Sequence, residues 1–431
     1  WKRAESKTQE LGRKIAADQK HLDVILPEMV RTHNQRIAVF SRGLAEGAKD
    51  KMHLWNQIKA QYHSASPQEI RTLPILGFLS SKAMDEYRDG IMDSLVKDEI
   101  LGRHYPQIQS ATPIITSKDL ARLSASLDIG TAPIQLYQHI FFSAENDALP
   151  DEEIAAYLRK IMSKEEGLYT ALDILHMMFH SSHRTHGEPI LKVARDALAK
   201  FKFTRENRGM NHNSDYALAR LATVSLDGKE SESMAASLCE NLAEAFNTYN
   251  AYIHDYRGLI NVLAEKHPMV FMDTFLSPEP AKGRLNKLFS HDFELYKNPL
   301  NHISNSDILK WCDVDSARRY PVIAQAIESF TNTPASGELS WNPLIIDLFE
   351  KAPNLEVLLE NVAQDLVPST FGGSQADIIE KRAPVFKELF DHPNDVIASW
   401  AKMRYELAMQ TVERTREWEE KHYRIRNESF E

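Results

Sequence analysis

Hydrophobic residues recur every three or four positions along most of this chain, which is the spacing of the buried face of an α-helix. One helix is predicted to open at Pro150-Asp-Glu-Glu153, where acidic residues favour a helix N-terminus, and to bury Ile154, Leu158 and Ile161. The same spacing predicts a second helix, with apolar positions at Met234, Leu238, Leu242, Phe246 and Tyr249. Ser66-Pro-Gln-Glu69 is a capping box with proline at the first helical position, and predicts a third helix start.

Strand signals are weak by comparison. Ile114-Ile115 and Ile345-Ile346 are short apolar runs that fit a buried helix as well as a strand. Four polar segments rich in proline, glycine or asparagine are predicted to be irregular, at residues 204–214, 277–307, 331–343 and 367–375. The chain is therefore predicted to be all-α, with more than about 60% helix and no sheet of three or more strands.

A short motif recurs three times in the second half of the chain. Each copy places a proline a few residues after a leucine, in Leu263-Ala-Glu-Lys-His-Pro268, Leu348-Phe-Glu-Lys-Ala-Pro353 and Leu389-Phe-Asp-His-Pro393. The prolines lie 85 and 40 residues apart, about two periods and one period of HEAT and armadillo repeats, which have roughly 40–47 residues. The motif predicts an α-solenoid of degenerate HEAT/armadillo-like helical repeats, because proline ends one helix and starts the turn into the next. Coincidence is the alternative, since prolines end helices in any all-α protein.

The pattern divides the chain into four segments. They are an N-terminal helical segment (1–115), a helical-repeat region (116–276), helical repeats with irregular loops (277–393) and a long charged C-terminal helix (394–431). The last segment carries a sparse apolar stripe of Met403, Leu407, Trp418 and Ile425. This stripe fits a solvated helix that caps the solenoid, and partner binding or a coiled coil is the alternative. The charged, helix-like start at Trp1 predicts that the chain belongs to a longer polypeptide.

Composition limits the class of partner and the compartment. A formal net charge of −10 and a pI near 6.0 argue against a general nucleic-acid-binding surface. A local basic run could still bind nucleic acid, and a solvated helix face explains that run equally well. The run consists of Lys192, Arg195, Lys200, Lys202, Arg205 and Arg208. With only Cys239 and Cys312, the chain is predicted to be cytoplasmic, with buried thiols and no disulfide framework. The chain contains no run of about 18 apolar residues, so no membrane span is predicted.

The sequence contains no familiar catalytic motif. A phosphate loop of the form G-x-x-x-x-G-K-[ST], a G-x-S-x-G elbow and an H-E-x-x-H pair are all absent.

Four histidines occur at spacings at which imidazoles bind zinc, namely His176, His180, His183 and His186. The segment Leu172–Phe179 is typical of a packed core helix and no cysteine lies nearby, so we predict ordinary packing or surface histidines. Gly372-Gly373-Ser374 is predicted to cap a helix rather than to bind an anion. We therefore assign no catalytic, cofactor-binding or metal-binding residue.

Six segments resemble the C-terminal helical-repeat region of large bacterial proteins that are found among anti-phage defence genes. They are Trp55-Asn-Gln-Ile58, Leu76-Gly-Phe-Leu79, Ala171-Leu-Asp-Ile-Leu-His-Met177, Ile308-Leu-Lys-Trp-Cys312, Pro368-Ser-Thr-Phe-Gly-Gly-Ser374 and the charged ending Glu417 to Glu431. The resemblance covers nearly the whole chain through short motifs. It implies that effector or NTPase modules lie upstream and that the helical array senses a ligand or holds an assembly together. It implies no functional residues for this chain.

Three functions from different classes follow as hypotheses. The first, and our expectation, is a non-catalytic sensor or scaffold of a bacterial defence protein. It would bind a protein ligand, an upstream effector or NTPase module, or a neighbouring copy of itself, in the groove of its inner helices. The second is a nucleic-acid-binding helical array, which requires the basic run to lie on one face. The third is an enzyme with a divergent site at His176–His186.

Overall fold

Most of the chain is helical in the computed structural model. The structure describes residues 2–112, 114–139, 149–181, 185–206, 214–276, 298–332, 339–363, 366 and 372–428. Helices account for 75% of the structure, so the prediction of an all-α protein is confirmed. The described residues contain one sheet, which has two strands. Among the helices that these ranges contain, none is both long enough and apolar enough to cross a membrane.

The chain divides into two compact units, Trp1–Phe201 and Lys202–Glu431. In the first unit the described α-helices are α1 (Lys2–Ile15), α2 (Gln19–Met29), α3 (Ile37–Gly47), α4 (Lys51–Ser64), α5 (Leu73–Leu79), α6 (Asp85–Leu95), α7 (Tyr105–Gln109), α8 (Ser117–Ile129), α9 (Asp151–Met162), α10 (Gly167–Ser181) and α11 (Glu188–Lys200). Short 3-10 helices occur at Lys82–Met84, Leu101–His104 and Ile134–Gln138. The division of the chain into four segments stays a prediction.

The second unit has the same helical character and also holds the strand pair. Its described α-helices are α12 (Ser214–Ser225), α13 (Glu232–Asn247), α14 (Arg257–Lys266), α15 (Pro268–Phe275), α16 (Asn305–Val314), α17 (Ser316–Ala326), α18 (Pro343–Lys351), α19 (Leu355–Leu359), α20 (Gln375–Arg382) and α21 (Asp395–Glu428). The strands are β1 (Phe330–Asn332) and β2 (Leu339–Trp341). The 3-10 helices are Lys229–Ser231, Ile253–Asp255, Pro299–His302 and Ala383–Leu389.

Two helices predicted from their apolar spacing, and the long charged helix, are confirmed. α9 begins after Pro150, and its buried residues include Ile154, Leu158 and Ile161. α13 ends at Asn247, so Tyr249 lies beyond it, and its buried residues include Leu238, Leu242 and Phe246. α21 is a single helix of 34 residues, as predicted for the charged ending. Much of the irregular segment predicted at 277–307 lies outside the described residues, up to position 297.

The helix predicted to start at Ser66-Pro67 is wrong. Glu69 Oε2 accepts a hydrogen bond from Ser66 Oγ at 2.7 Å, as in a capping box, but residues 67–69 form a turn. The next helix, α5, begins only at Leu73. Pro74 is the second residue of α5, where its missing N–H interrupts no intrahelical hydrogen bond.

The segment predicted to be irregular at 331–343 contains part of the strand pair, so that prediction is partly wrong. β1 and β2 pair antiparallel with Phe330 opposite Trp341, and the two rings are 4.8 Å apart. Both strands have only three residues, which is too short for an alternating pattern to be recognised in the sequence. The pair forms one wall of an aromatic cluster that also includes Phe349, Phe386 and Trp400.

Each proline of the recurring motif lies at the start of a helix or between two helical elements. Pro268 is the first residue of α15, directly after α14. Pro353 lies between α18 and α19, and Pro393 lies between the last 3-10 helix and α21. The predicted position of the prolines is therefore confirmed.

Three aromatic residues of the segments that carry the resemblance lie in the core, whereas the described part of the charged ending is largely exposed. Trp55 and Phe78 are buried and their rings stack at 6.2 Å. Trp311 is also buried, and its indole N–H donates to Asp273 at 2.7 Å. Packing accounts for these residue types, and Pro368–Phe371 lies outside the described residues.

Helices α1, α3 and α5 pack main chain against main chain. A Cβ atom added at Gly43 would lie 2.1 Å from the carbonyl oxygen of Gln9, and one added at Gly77 would lie 2.0 Å from that of Ala38. These distances are far inside van der Waals contact, so only glycine permits the approach. α3 is therefore held between its two neighbours by backbone contact.

Polar contacts that join distant residues occur in both units. Lys160 Nζ contacts Asp128 Oδ2 at 2.7 Å across 32 residues, and Trp311 contacts Asp273 across 38. Other pairs of this kind are Arg13 with Glu46, Lys59 with Asp98, Lys266 with Asp227 and Arg416 with Asp377. Some of these contacts join adjacent helices, as between α20 and α21, and others join a helix to the helix after next, as between α1 and α3.

Two helices take their N-terminal cap from a carboxylate one helix pair earlier. Asp151 Oδ2 accepts from the N–H of Gly187, which immediately precedes α11. The two oxygens of Asp215 accept from the N–H groups of Gly258 and Leu259, at 2.8 and 2.9 Å, in the first turn of α14. Neither helix has a capping side chain at its own N-cap position. A carboxylate is favourable there because the first N–H groups of a helix lack intrahelical acceptors.

The start of α20 is capped both locally and from a distance. Ser374 Oγ accepts from the N–H of Asp377 at 3.1 Å, which confirms the helix cap predicted for Gly372-Gly373-Ser374. Glu419, in α21, accepts from the N–H of Gln375 at 2.7 Å and from Ser374 Oγ at 2.6 Å. The carboxylate thus binds the helix start from 44 residues later in the chain.

Asp98 links α4 to the 3-10 helix that starts at Leu101. Its side chain is only 3% exposed and contacts Lys59 Nζ at 2.7 Å and His63 Nε2 at 3.0 Å. It also accepts from the N–H of Leu101 at 2.9 Å. Burial acts to raise the pKa of Asp98, but these hydrogen bonds outweigh burial and lower its pKa to about 2.

We expect Gly43→Ala to destabilise the first unit by about 1–3 kcal/mol, because the methyl group has no space against the Gln9 carbonyl. Gly90→Ala is the matched control, since nothing lies within 4 Å of its added Cβ atom and it is exposed within α6. That variant should gain about 0.5–1 kcal/mol from helix propensity. Urea unfolding followed by circular dichroism measures both, and equal effects would contradict the backbone contact.

We expect Asp98→Asn to lower the free energy of unfolding by about 2 kcal/mol at neutral pH. The folded pKa lies below the unfolded value of about 4, so the contribution is complete above pH 4 and is lost as the pH falls towards 2. The difference between wild type and variant should therefore shrink across that window in urea titrations. Glu99→Gln, an exposed neighbour with the same change of charge, should show no such window.

Candidate functional site

Two histidines of the predicted cluster come together on one helix. His176 and His180 lie on one face of α10, and their rings stack with centroids 5.9 Å apart. His176 is half-buried and His180 is exposed. The helix ends at Ser181, and His183 lies outside the described residues. The four-residue spacing thus places two imidazoles side by side on this helix.

His186 belongs to the packing between helices. Its side chain is 2% exposed, its ring meets Phe179 edge to face, and Nδ1 lies 3.6 Å from Asp151 Oδ1. The same carboxylate caps the start of α11 through Gly187. The imidazole of His186 therefore packs beside the carboxylate that caps α11. The spacing of the histidines in the sequence does not predict this role.

No metal-binding group is formed by the residues that the structure describes. No three His, Cys, Asp or Glu side chains among them are grouped to hold a metal ion. Cys239 and Cys312 are buried free thiols, as predicted. Burial raises the pKa of Cys239 far above its ordinary value and that of Cys312 to about 12. Both thiols therefore stay protonated at neutral pH, and a protonated thiol is a poor nucleophile and metal ligand.

A serine–histidine pair, which sequence reasoning missed, lies at the junction of α14 and α15. His267 Nε2 is 3.1 Å from Ser231 Oγ and 2.9 Å from the carbonyl oxygen of Leu226. A carbonyl only accepts hydrogen bonds, so Nε2 carries the proton and cannot take one from the serine. Ser231 is fully buried and its hydroxyl donates to the carbonyl of Gly228 at 2.8 Å. The pair joins two chain segments and is not arranged for nucleophilic catalysis.

The predicted basic run does not form one free cationic face. Arg195 is paired with Glu188, and Arg205 Nε donates to the carbonyl oxygen of Tyr249 at 3.1 Å. Lys192, Lys200 and Lys202 are exposed. The run is divided between the two units at Phe201, and Arg208 lies outside the described residues.

A tyrosine occupies the left-handed position that ends α13. Tyr249 has a φ of +57°, and its N–H donates to the carbonyl of Phe246 at 3.2 Å. The next N–H, of Asn250, donates to the carbonyl of Ala245 at 2.8 Å. This is a Schellman motif, in which the left-handed residue is usually glycine. Tyrosine there costs about 1 kcal/mol, and its ring is 45% exposed, so full burial does not offset that cost.

Further aromatic and basic side chains surround this strained residue. Tyr252 is 42% exposed, and its ring stacks on that of His254 at 5.5 Å with only 10° between the planes. Asp255 accepts from the N–H of Tyr252 at 2.8 Å and fixes the turn. We call the exposed side chains of Arg205, Tyr249, Tyr252 and His254 the tyrosine surface. Exposed tyrosine and arginine are the residue types that most often carry binding energy in protein interfaces.

No family model, curated protein or solved structure matches the chain. The geometry of the described residues is therefore the basis for assigning a function. The tyrosine surface is the candidate binding site that this geometry favours.

We expect the purified protein to contain no stoichiometric zinc, because the described histidines lack the third and fourth ligands of a zinc site. Elemental analysis after purification without chelator measures the ratio of metal to chain. His176→Ala and His180→Ala, made together, should leave that ratio and the thermal midpoint nearly unchanged. About one zinc per chain in the wild type, absent from the double variant, would establish a metal site instead.

Proposed function

We propose that this chain is a non-catalytic α-solenoid that serves as a protein-binding sensor or scaffold within a bacterial defence protein. Its degenerate two-helix repeats present exposed side chains for a protein ligand, an upstream effector or NTPase module, or a neighbouring copy. The resemblance supplies the defence context, and the contacts between helices support the repeat architecture.

The observation that carries the proposal is a set of polar contacts between helices that recur at similar sequence separations. Stacked two-helix repeats bring together residues about one repeat apart. In the second unit several contacts join residues 36 to 45 positions apart, close to the 40 residues between two of the motif prolines, while other polar contacts there join residues 14 to 34 positions apart. In the first unit the corresponding contacts join residues 29 to 39 positions apart, which favours shorter repeats there.

The chemistry of the buried polar groups supports a non-catalytic role. Ser231 and His267 hold a helix junction, and Asp151 caps a helix. Ser231, His267 and Asp151 thus have structural hydrogen-bond partners.

The exposed basic residues leave nucleic-acid binding as the second candidate. It requires a continuous cationic track, because affinity for nucleic acid depends on neutralising several phosphates. Arg195 and Arg205 are engaged within the protein, and the net charge of −10 opposes the approach of a polyanion. Protein binding is therefore the better supported function.

We expect the isolated chain to hydrolyse neither ATP nor nucleic acid, and its deletion to abolish the activity of the protein that carries it. The first arm measures phosphate release and oligonucleotide cleavage by purified chain. The second arm removes residues 1–431 from the parent protein and measures protection of the host bacterium against phage. Robust turnover by the chain, or full protection after deletion, would falsify the proposal.

A further inference from the structure

We propose that two copies of this chain pair through α21, with the two helices antiparallel. The inference rests on the proposed protein-binding function and names a neighbouring copy as a partner. It begins from five large apolar side chains on α21 that are 43–59% exposed. They are Val396, Met403, Leu407, Trp418 and Ile425, and we call them the α21 stripe. Amphipathic helices bind partners through an apolar row of this kind.

The stripe faces away from the side chains that hold α21 in its unit. Those side chains are buried, and they include Ile397, Ala401, Ala408 and Val412. At 3.6 residues per turn, the stripe lies about a third of a turn from that packed face. The Trp418 ring contacts His422 of the same helix, with centroids 3.9 Å apart, and is still 59% exposed. The stripe is therefore a second face of α21, separate from the one that the fold uses.

The spacing along the stripe is symmetric. From Val396 to Ile425, with the exposed Arg414 counted on the same line, the steps are 7, 4, 7, 4 and 7 residues. This pattern repeats every 11 residues, so it runs nearly straight along the helix for about 44 Å. Its midpoint falls between Gln410 and Thr411. A two-fold contact requires such symmetry, because each position must meet its own counterpart on the second copy.

An antiparallel pair centred on this midpoint brings apolar side chains together. Val396 of one copy lies opposite Ile425 of the other, and each of these contacts occurs twice by symmetry. Met403 lies opposite Trp418, and methionine packs readily against aromatic rings. Leu407 lies opposite Arg414, whose methylene groups cover it while the guanidinium group reaches water. The arrangement thus covers every apolar member of the stripe.

Charge selects the antiparallel direction. A parallel pair would place Arg414 against Arg414 and Lys421 against Lys421 between the helices. In the antiparallel pair, Arg414 lies one residue from the level of Glu406. Arg424 lies two residues from the level of Asp395, and all of these side chains are exposed. Opposite charges beside an apolar contact favour a pairing, and like charges oppose it.

Opposite charges also outnumber like charges over the whole flank of the stripe. Pairs of opposite sign that come within two residues of the same level are Arg424–Asp395, Arg414–Glu406, Lys402–Glu417 and Lys402–Glu420. Pairs of like sign are Glu406–Glu413, Glu406–Glu417 and Lys402–Lys421. Lys402 also lies over the ring of Phe390 in its own copy, 5.9 Å from the centroid. The apolar contacts therefore supply most of the binding energy, and the charges set the direction.

The first test measures association of the full chain by sedimentation velocity over a range of concentrations. We expect a monomer–dimer equilibrium whose dissociation constant Trp418→Ala raises at least about tenfold. Tyr423→Ala is the matched control, since Tyr423 is 69% exposed on the other side of α21, and it should leave that constant unchanged. Both substitutions remove exposed rings, so the circular dichroism spectrum of each variant should match that of the wild type.

The second test determines the direction of the pair by cross-linking. Gln410→Cys places a thiol at the midpoint, where its counterpart on the second copy lies within reach of a disulfide. Lys421→Cys is the matched control, because its counterpart lies about 30 Å away in an antiparallel pair and adjacent in a parallel one. Mild oxidation should join two copies of the first variant and not of the second. The wild type should stay unlinked, because Cys239 and Cys312 are buried.

Each other outcome overturns a defined part of the inference. A chain that is monomeric at every concentration, or a dimer that Trp418→Ala does not weaken, overturns this contact and leaves binding of other protein ligands in place. Cross-linking of both cysteine variants, of Lys421→Cys alone, or of neither in a dimeric sample overturns the antiparallel arrangement. The proposed function fails separately, through turnover by the isolated chain or full phage protection after its deletion.

Discussion

Almost every helix in this protein is too short to be stable by itself in water. Apart from the 34-residue α21, the described α-helices have 5 to 16 residues, and isolated helices below about 12–15 residues are marginal. Each of these helices therefore depends on packing against its neighbours. At Gly43 and Gly77 the neighbour is a main chain in direct contact, and at Gly187 and Gly258 it is a carboxylate that completes the helix N-terminus. Both kinds of contact, from side chains and from the backbone, thus stabilise short helices.

The sequence predicted what depends on local pattern and missed what depends on distant partners. Apolar spacing located α9 and α13, and charge and length located α21. The capping box at Ser66 failed as a helix signal because its hydrogen bond closes a turn at residues 67–69, and α5 begins only at Leu73, next to Pro74. The strand pair was missed because Phe330 and Trp341 are held by aromatic neighbours from other helices, and three-residue strands carry too little alternation of their own.

Even less of the candidate site than of the fold could be predicted from the sequence. Spacing predicted that His176 and His180 share a face, and their rings do stack. Nothing in the sequence near Tyr249 indicates that it takes a left-handed conformation, because the tyrosine continues the apolar spacing of α13. Tyr249 takes this conformation because α13 ends just before it, and packing determines where the helix ends. The pairing of Ser231 with His267 likewise joins residues 36 positions apart and has no local signature.

The contact of Glu419 with the start of α20 has a consequence for synthesis. The N–H of Gln375 leaves the ribosome 44 residues before the carboxylate that accepts its hydrogen bond. At about 5–20 residues per second, α20 waits roughly 2–9 s for that acceptor. α11 and α14 do not wait, because Asp151 and Asp215 are made before the helices they cap. The start of α20 therefore lacks its second, carboxylate cap until most of α21 has been made.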